Sequence, residues 1–169
     1  LFGIYYSLAQ EELNQTWVLR NGSWTNLTAS AGAAPSTGGW MTYDASEGYL
    51  LFFAPGATWA FANGSWDRLH PSREPSSNPA CTGTMFYDPA QGAVILWDGL
   101  GGETWEFQGG QWTELNPSAR PPTGDPLGSA YDSAFGYGEI FGPTGTDDNS
   151  TWIFENGTWQ NDSGRLGAG

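Results

Sequence analysis

The chain has 169 residues, a length that suits one domain with a hydrophobic core. Its 18 acidic residues, five arginines and lack of lysine give a net charge of −13. This charge argues against a nucleic-acid partner, because a phosphate backbone requires a basic surface. No apolar run approaches the roughly 18 residues that indicate a transmembrane helix. Cys81 is the single cysteine, so an internal disulfide is excluded.

The first predicted elements are a truncated strand and a hairpin. Residues 1–3 have the pattern of a strand end, and the sequence has neither an N-terminal methionine nor a signal-peptide pattern, so we expect a part of a longer protein. The hairpin is predicted from Thr16 to about Leu27, where apolar and polar residues alternate on either side of Asn21-Gly22. This dipeptide tolerates positive φ at both central positions of a type I′ turn, which sets Leu19 opposite Trp24.

Four copies of this hairpin organise the chain. Their sequences are TWVLRNGSW, TWAFANGSW, TWEFQGGQW and TWIFENGTW, starting at residues 16, 58, 104 and 151. The first tryptophans are 42, 46 and 47 residues apart, and each is followed seven residues later by a second. Because an isolated hairpin cannot bury these indoles, each copy is expected to stack on its neighbours. The predicted structural core of the repeat is Trp17, Trp24, Trp59, Trp66, Trp105, Trp112, Trp152 and Trp159.

Two further strands are predicted before each of the last three hairpins. The first of them ends in a Tyr-Asp pair, at residues 43–44, 87–88 and 131–132, and a turn then leads into an apolar strand. An aspartate that recurs directly before a turn favours an Asx-turn role over a catalytic one. Each full unit therefore has four antiparallel strands, with a period typical of a β-propeller blade. The predicted fold class is all-β.

The third unit resembles the kelch-repeat family of β-propellers. It combines the apolar run 94–97, the double glycine Gly101-Gly102, Trp105 and, seven residues later, Trp112. The resemblance implies a propeller of four-stranded antiparallel blades, with about three and a half blades present. The predicted boundaries are a partial blade at 1–27 and blades at about 38–70, 82–116 and 128–162, followed by a linker or frayed tail at 163–169.

An incomplete ring predicts missing neighbours. Propellers close with about 4–8 blades. A series of about three and a half blades would therefore leave an aromatic face exposed at each end. The two faces are expected at Trp17–Trp24 and at Trp152–Trp159. Exposed apolar faces of that size indicate an absent partner. We expect further blades of a longer parent chain, or another copy of this chain, to cover them.

Few residues suit catalysis or metal binding. Some relatives of the kelch family resemble galactose oxidase, which holds copper with histidines, but His70 is the single histidine here. Residues 102–105 match the end of a sialidase-like Asp box, yet Leu100 stands where the aspartate belongs. The run Asp147-Asp148-Asn149 lacks calcium-loop spacing and is expected to be a solvated loop. The sequence therefore predicts no catalytic residue, no metal and no cofactor.

Two features indicate recognition outside a cell. Trp40 and Trp97 lie off the hairpin motif, so they are the aromatics expected to face a ligand. Seven of the nine asparagines lie in N-x-Ser/Thr acceptor sequences for N-glycosylation, against roughly one or two by chance. They are Asn14, Asn21, Asn26, Asn63, Asn149, Asn156 and Asn161. Three of them, at hairpin turns, are also explained by the turn itself.

The predicted function is a non-catalytic extracellular or cell-surface module for structure or for recognition of proteins or glycans. A secreted protein without disulfides favours a prokaryotic source. Two alternatives stay open, namely a lectin-like carbohydrate-binding module and a part of a secreted carbohydrate-active enzyme whose catalytic residues lie outside this chain.

Overall fold

The structure, a computed structural model, describes residues 2–6, 12–76, 82–142 and 150–166. These residues form fifteen strands and one short helix. The strands make four antiparallel sheets, which follow one another in chain order without exchanging strands. The predicted all-β class is confirmed.

The first sheet has three strands and the second has four, each in sequence order. The strands of the first sheet are β1 (Phe2–Tyr6), β2 (Glu12–Arg20) and β3 (Ser23–Asn26). Those of the second sheet are β4 (Trp40–Asp44), β5 (Tyr49–Ala54), β6 (Ala57–Ala62) and β7 (Ser65–Leu69).

The third and fourth sheets repeat the four-stranded arrangement. The third contains β8 (Gly83–Asp88), β9 (Ala93–Asp98), β10 (Thr104–Gln108) and β11 (Gln111–Leu115). The fourth contains β12 (Gly128–Asp132), β13 (Tyr137–Phe141), β14 (Thr151–Glu155) and β15 (Thr158–Asn161). The helix α1 (Ser163–Leu166) occupies the start of the segment that was expected to be a linker or frayed tail.

The four tryptophan hairpins turn as their dipeptides predict. Asn21 and Gly22 have φ of 50° and 76°, so both central residues adopt the left-handed conformation of a type I′ turn. The other three turns, at 63–64, 109–110 and 156–157, likewise have positive φ at both positions. Leu19 pairs with Trp24, as expected, and the equivalent pairs of the later hairpins are Phe61 with Trp66, Phe107 with Trp112 and Phe154 with Trp159.

Each interior sheet packs both of its faces, because side chains alternate along a strand. In the third sheet, Phe107 and Trp112 point back to a buried cluster that includes Phe53 of the second sheet. Trp97 points forward to a cluster that includes Trp159 of the fourth sheet. A third cluster joins the second sheet to the connection that follows β3. The core is therefore a series of apolar layers between consecutive sheets.

The first strands of the three four-stranded sheets lie side by side. β4 contacts β8, and β8 contacts β12. Trp40 donates its indole N–H to the carbonyl oxygen of Gly83 at 3.0 Å, and the hydroxyl groups of Thr84 and Ser129 are hydrogen-bonded. We call β4, β8 and β12 the inner strands. Within the described residues, no helix has the length and apolar character that a membrane span requires.

Candidate functional site

One hydrogen bond repeats at three junctions between consecutive sheets. The second tryptophan of a hairpin donates its indole N–H to the threonine that begins the preceding hairpin. The pairs are Trp66 to Thr16, Trp112 to Thr58 and Trp159 to Thr104, and the distance is 2.9 Å in each. All six residues are buried. Because a buried indole N–H without an acceptor would cost about 1–3 kcal/mol, each bond fixes how one sheet sits on the next.

The first tryptophans contribute less to the core than predicted. Trp105 is buried, but Trp17, Trp59 and Trp152 are only half-buried. Trp105 belongs to the buried cluster shared by the second and third sheets, and the guanidinium of Arg73 also lies 4.7 Å above its ring. The prediction that all four first tryptophans are buried between neighbouring sheets is therefore wrong for three of them.

The two aromatics that were expected to face a ligand instead lie at sheet junctions. Trp97 is fully buried, since β9 is buried along its whole length, and the ligand-facing prediction is wrong for this residue. Trp40 is half-buried and stacks on Phe53 with ring centroids 6.0 Å apart, while its N–H is bonded to Gly83. Both indoles join one sheet to the next.

The predicted glycosylation asparagines differ in accessibility. Asn21, Asn63 and Asn156 are exposed at turn tips, and Asn26 and Asn161 are exposed at strand ends. The remaining two are Asn14, which is half-buried with its amide oxygen enclosed, and Asn149, which lies outside the described residues. Five of the seven are therefore exposed, as an attachment site for a glycan has to be.

Two of these acceptor sequences also have a structural role. Asn26 Oδ1 accepts a hydrogen bond from the backbone N–H of Thr28 at 2.8 Å, and Thr28 Oγ1 accepts one from the N–H of Thr16 at 3.0 Å. The same two bonds, both 3.0 Å long, recur in the fourth sheet among Asn161, Ser163 and Thr151. The N-x-Ser/Thr spacing here ties the end of a hairpin to its own buried threonine.

The recurring aspartates form Asx turns, as predicted. Asp44 Oδ1 accepts hydrogen bonds from the backbone N–H groups of Ser46 and Glu47 at 3.0 and 3.2 Å. Asp88 and Asp132 make the equivalent pair of bonds in their sheets. The carboxylates of Asp44 and Asp88 are buried at these turns. Their place in the repeat is explained by backbone structure.

A group of tyrosines that was not predicted as a site surrounds these turns. Tyr43, Tyr87 and Tyr131 lie near the ends of the neighbouring inner strands, and Tyr49 and Tyr137 begin the strands β5 and β13 that follow two of them; we call these five residues the tyrosine rim. The Tyr87 hydroxyl is hydrogen-bonded to Ser46 Oγ of the preceding sheet at 2.8 Å. Tyr43 is exposed, and the exposed ring of Phe135 stacks on Tyr137 with centroids 6.1 Å apart. The repeated Tyr-Asp pairs are the sequence signal that could have located this rim.

Burial and nearby carboxylates raise the pKa of two phenols of the tyrosine rim. Burial raises the pKa of Tyr49 to about 12, and the nearby charges of Glu47 and Asp44 add to the shift. Burial and the charge of Asp88, which accepts a hydrogen bond from the phenol, also raise the pKa of Tyr131. Both phenols therefore remain protonated at neutral pH and present hydrogen-bonding hydroxyl groups beside aromatic surfaces.

The parts of the chain that the structure describes contain no candidate metal-binding cluster. There, no three His, Cys, Asp or Glu side chains lie close enough together to hold an ion. His70 is exposed, whereas Cys81 and the acidic run 147–149 lie outside the described ranges.

The two ends of the series of sheets are unlike. At the first sheet, Leu19 and Trp24 are more than half exposed. At the fourth, Phe141 and Leu127 are exposed, but Trp159 is buried because it points back to the third sheet. The prediction of an open face at Trp152–Trp159 is therefore wrong, since the exposed side of the fourth sheet is the opposite one.

Comparison with known proteins gives no family for this chain. No family model matches it, and no curated protein matches it. The kelch resemblance stays a prediction from the sequence pattern. The geometry of the sheets and of the tyrosine rim has to carry the functional argument.

Proposed function

We propose that the chain is a non-catalytic β-propeller module, with its four sheets as blades, that serves recognition or structure outside a prokaryotic cell. The observation that carries the proposal is the repeated bond from a second tryptophan to the threonine of the preceding hairpin. Because the three junctions share the same hydrogen bond, each sheet packs on the next in the same way, as the blades around a propeller axis do. The adjacent inner strands support the same arrangement.

The tyrosine rim is the proposed recognition surface. It combines phenol rings, hydroxyl groups and carboxylates at turns held by Asx hydrogen bonds. Tyrosine is favoured at recognition surfaces because one ring offers apolar area together with a polar tip. Since Asp44 and Asp88 accept backbone hydrogen bonds, they act in this proposal as supports of the surface.

The proposed extracellular location is supported by the exposed asparagines of the N-glycosylation acceptor sequences. Asn21, Asn63 and Asn156 lie at turn tips, where an attached glycan would meet solvent. We expect the mass of the protein from its native source to fall after chemical deglycosylation. A mass equal to that of the bare 18.2 kDa chain would remove this support.

A second candidate function is lectin-like glycan binding at the same rim. It is favoured by Phe135 and Tyr137, whose rings are within 20° of parallel and so offer a flat surface for a sugar ring. Phe135 is 72% exposed, so its ring is accessible to a ligand.

A glycan array with the wild-type chain and Phe135→Ala tests both candidates. Leu100→Ala is the matched control, because Leu100 is an exposed apolar residue at another turn. Lectin-like function predicts binding that Phe135→Ala lowers at least tenfold and Leu100→Ala leaves unchanged. Binding to an immobilised protein partner, without glycan binding, would favour the first candidate. Hydrolysis of the bound glycans would contradict the non-catalytic proposal.

A further inference from the structure

The three junctions between sheets have a donor half and an acceptor half. The donor half is the second tryptophan of a hairpin. The acceptor half is the hairpin's first threonine together with the aromatic residue paired with it on the neighbouring strand. At the middle junction, Thr58 pairs with Phe53, and Phe53 meets the ring of Trp112 with centroids 5.5 Å apart. At the last junction, Thr104 pairs with Trp97, which shares a cluster with Trp159.

In the part of the chain that the structure describes, the donor half of the first sheet packs on no other sheet. Trp24 is 51% exposed, whereas its equivalents Trp66, Trp112 and Trp159 are 4%, 4% and 1% exposed. Its cross-strand partner Leu19 is 53% exposed, whereas the equivalent Phe107 is fully buried. We call Leu19 and Trp24 the donor face.

Within the described residues, no second tryptophan packs on the acceptor half of the fourth sheet. Thr151 pairs with Phe141, just as Thr104 pairs with Trp97. Phe141 is 42% exposed, whereas Trp97 is fully buried, and Leu127 beside Phe141 is also exposed. We call Phe141, Leu127 and Thr151 the acceptor face. Thr151 is buried, as its equivalents are.

We propose that the donor face of one copy of this chain binds the acceptor face of a second copy, with Trp24 packed on Phe141 and its N–H directed to Thr151. The occupant is inferred from continuity with the internal junctions, because the two free faces are the two halves of an interface that the chain already forms three times. Head-to-tail interfaces of this kind close into rings or extend into filaments. Two copies would bring together eight sheets, twice the four in one chain, within the range of about 4–8 blades that close a propeller.

The closure into a two-copy ring rests on the proposed propeller, whereas the head-to-tail contact rests only on the repeated junction. Each copy carries a net charge of −13, so two copies repel one another through solvent. Salt screens this repulsion but not the apolar contact. We therefore expect association to strengthen as the salt concentration rises.

Sedimentation equilibrium of the 169-residue chain tests the proposal. The expected mass is twice 18.2 kDa. Trp24→Ala and Phe141→Ala should each weaken association at least tenfold, while Leu100→Ala, which removes an exposed side chain from a turn of the interior third sheet, should leave it unchanged. Far-ultraviolet circular dichroism checks that each variant is folded, and Leu19→Gln gives a second variant of the donor face.

Mixing the two face variants sharpens the test. The Trp24→Ala variant keeps an intact acceptor face, and the Phe141→Ala variant keeps an intact donor face. The mixture should therefore associate through one intact interface, which neither variant can form alone. A monomeric wild-type chain would overturn the proposal, as blades of a longer parent chain would then be the occupant. Phe141→Ala without effect, or association that weakens with salt, would also overturn it. None of these results bears on binding at the tyrosine rim, which tests the proposed function separately.

Discussion

Trp112 and Trp24 hold the same place in their hairpins but lie in opposite environments. Both follow a type I′ turn, and both pair with an apolar residue across the ribbon. Trp112 is enclosed by the second sheet and bonded to Thr58, whereas Trp24 is half exposed because no described sheet covers its side of the first sheet. Local sequence sets where an indole points, and the neighbouring sheet decides whether it is core.

The largest effect that tests this comparison is truncation of the two tryptophans. Trp112→Ala should lower the free energy of unfolding by about 3–5 kcal/mol, the usual cost of deleting a large buried aromatic side chain. Trp24→Ala should cost less than about 1 kcal/mol, as exposed positions usually do. Urea unfolding at a protein concentration too low for association measures both. Equal losses would show that the two environments are not energetically distinct.

The second largest effect is expected from removing the aspartate of a buried Asx turn, compared with removing the aspartate of a more exposed one. Asp88→Ala should cost about 1.5–3 kcal/mol, the range for hydrogen bonds to charged groups, because it removes a buried side chain that accepts the backbone hydrogen bonds of the turn. Asp132→Ala removes equivalent bonds from a half-buried residue, where water can replace the carboxylate. We expect the smaller loss there in urea unfolding. A larger loss for Asp132→Ala would contradict the role of burial.

A smaller effect tests the hydrogen bond at the junction itself. Thr104→Val keeps the side-chain shape but leaves the buried N–H of Trp159 without its acceptor, at a cost of about 1–2 kcal/mol. Thr151→Val is the matched control, since no described sheet follows the fourth and the substitution removes no such bond in a single chain. The difference between their unfolding free energies, measured at low protein concentration, isolates the bond. A difference of zero would mean that packing alone fixes the junction.

The smallest effect is a pH dependence at the tyrosine rim. The pKa of Tyr49 is raised from 10.0 to about 12, so the folded state holds the phenol proton more tightly than the unfolded state. This contribution to stability is complete below pH 10.0 and is lost as pH rises through about 12. Urea midpoints across this range should fall more steeply for the wild type than for Tyr49→Phe. Parallel curves would contradict the shift, and tyrosinate absorbance gives an independent titration.

The sequence predicted the local structure well. The dipeptides at the turns fixed the hairpin registers, because only Asn and Gly adopt the required positive φ readily. The position of Asp44 and its equivalents before a turn predicted the Asx hydrogen bonds for the same reason, since an Asx turn involves only neighbours in the chain. The repeat spacing also located the four-stranded units.

The burial of individual indoles was not predictable from the same pattern. Trp97 lies outside the hairpin motif yet is fully buried, and Trp24 lies inside it yet is exposed. The tyrosine rim was missed for a related reason, because it arises only when the inner strands bring distant turns together. The hydrogen bonds that Asn26 and Thr28 accept from the backbone were also not predicted, because these two residues match the N-x-Ser/Thr acceptor sequence for N-glycosylation.

By itself, the sequence determined the strands, the turns and the period of the repeat, because these depend on backbone preferences and on contacts within about ten residues. Only the tertiary structure decided which side of each sheet faces its predecessor. That choice assigns the second tryptophan to the threonine of the preceding hairpin, across 50 to 55 residues of chain. It also decided which surfaces remain uncovered, the donor face at one end and the acceptor face at the other. Burial is a property of two surfaces in contact, so it cannot be read from the alternation of one strand.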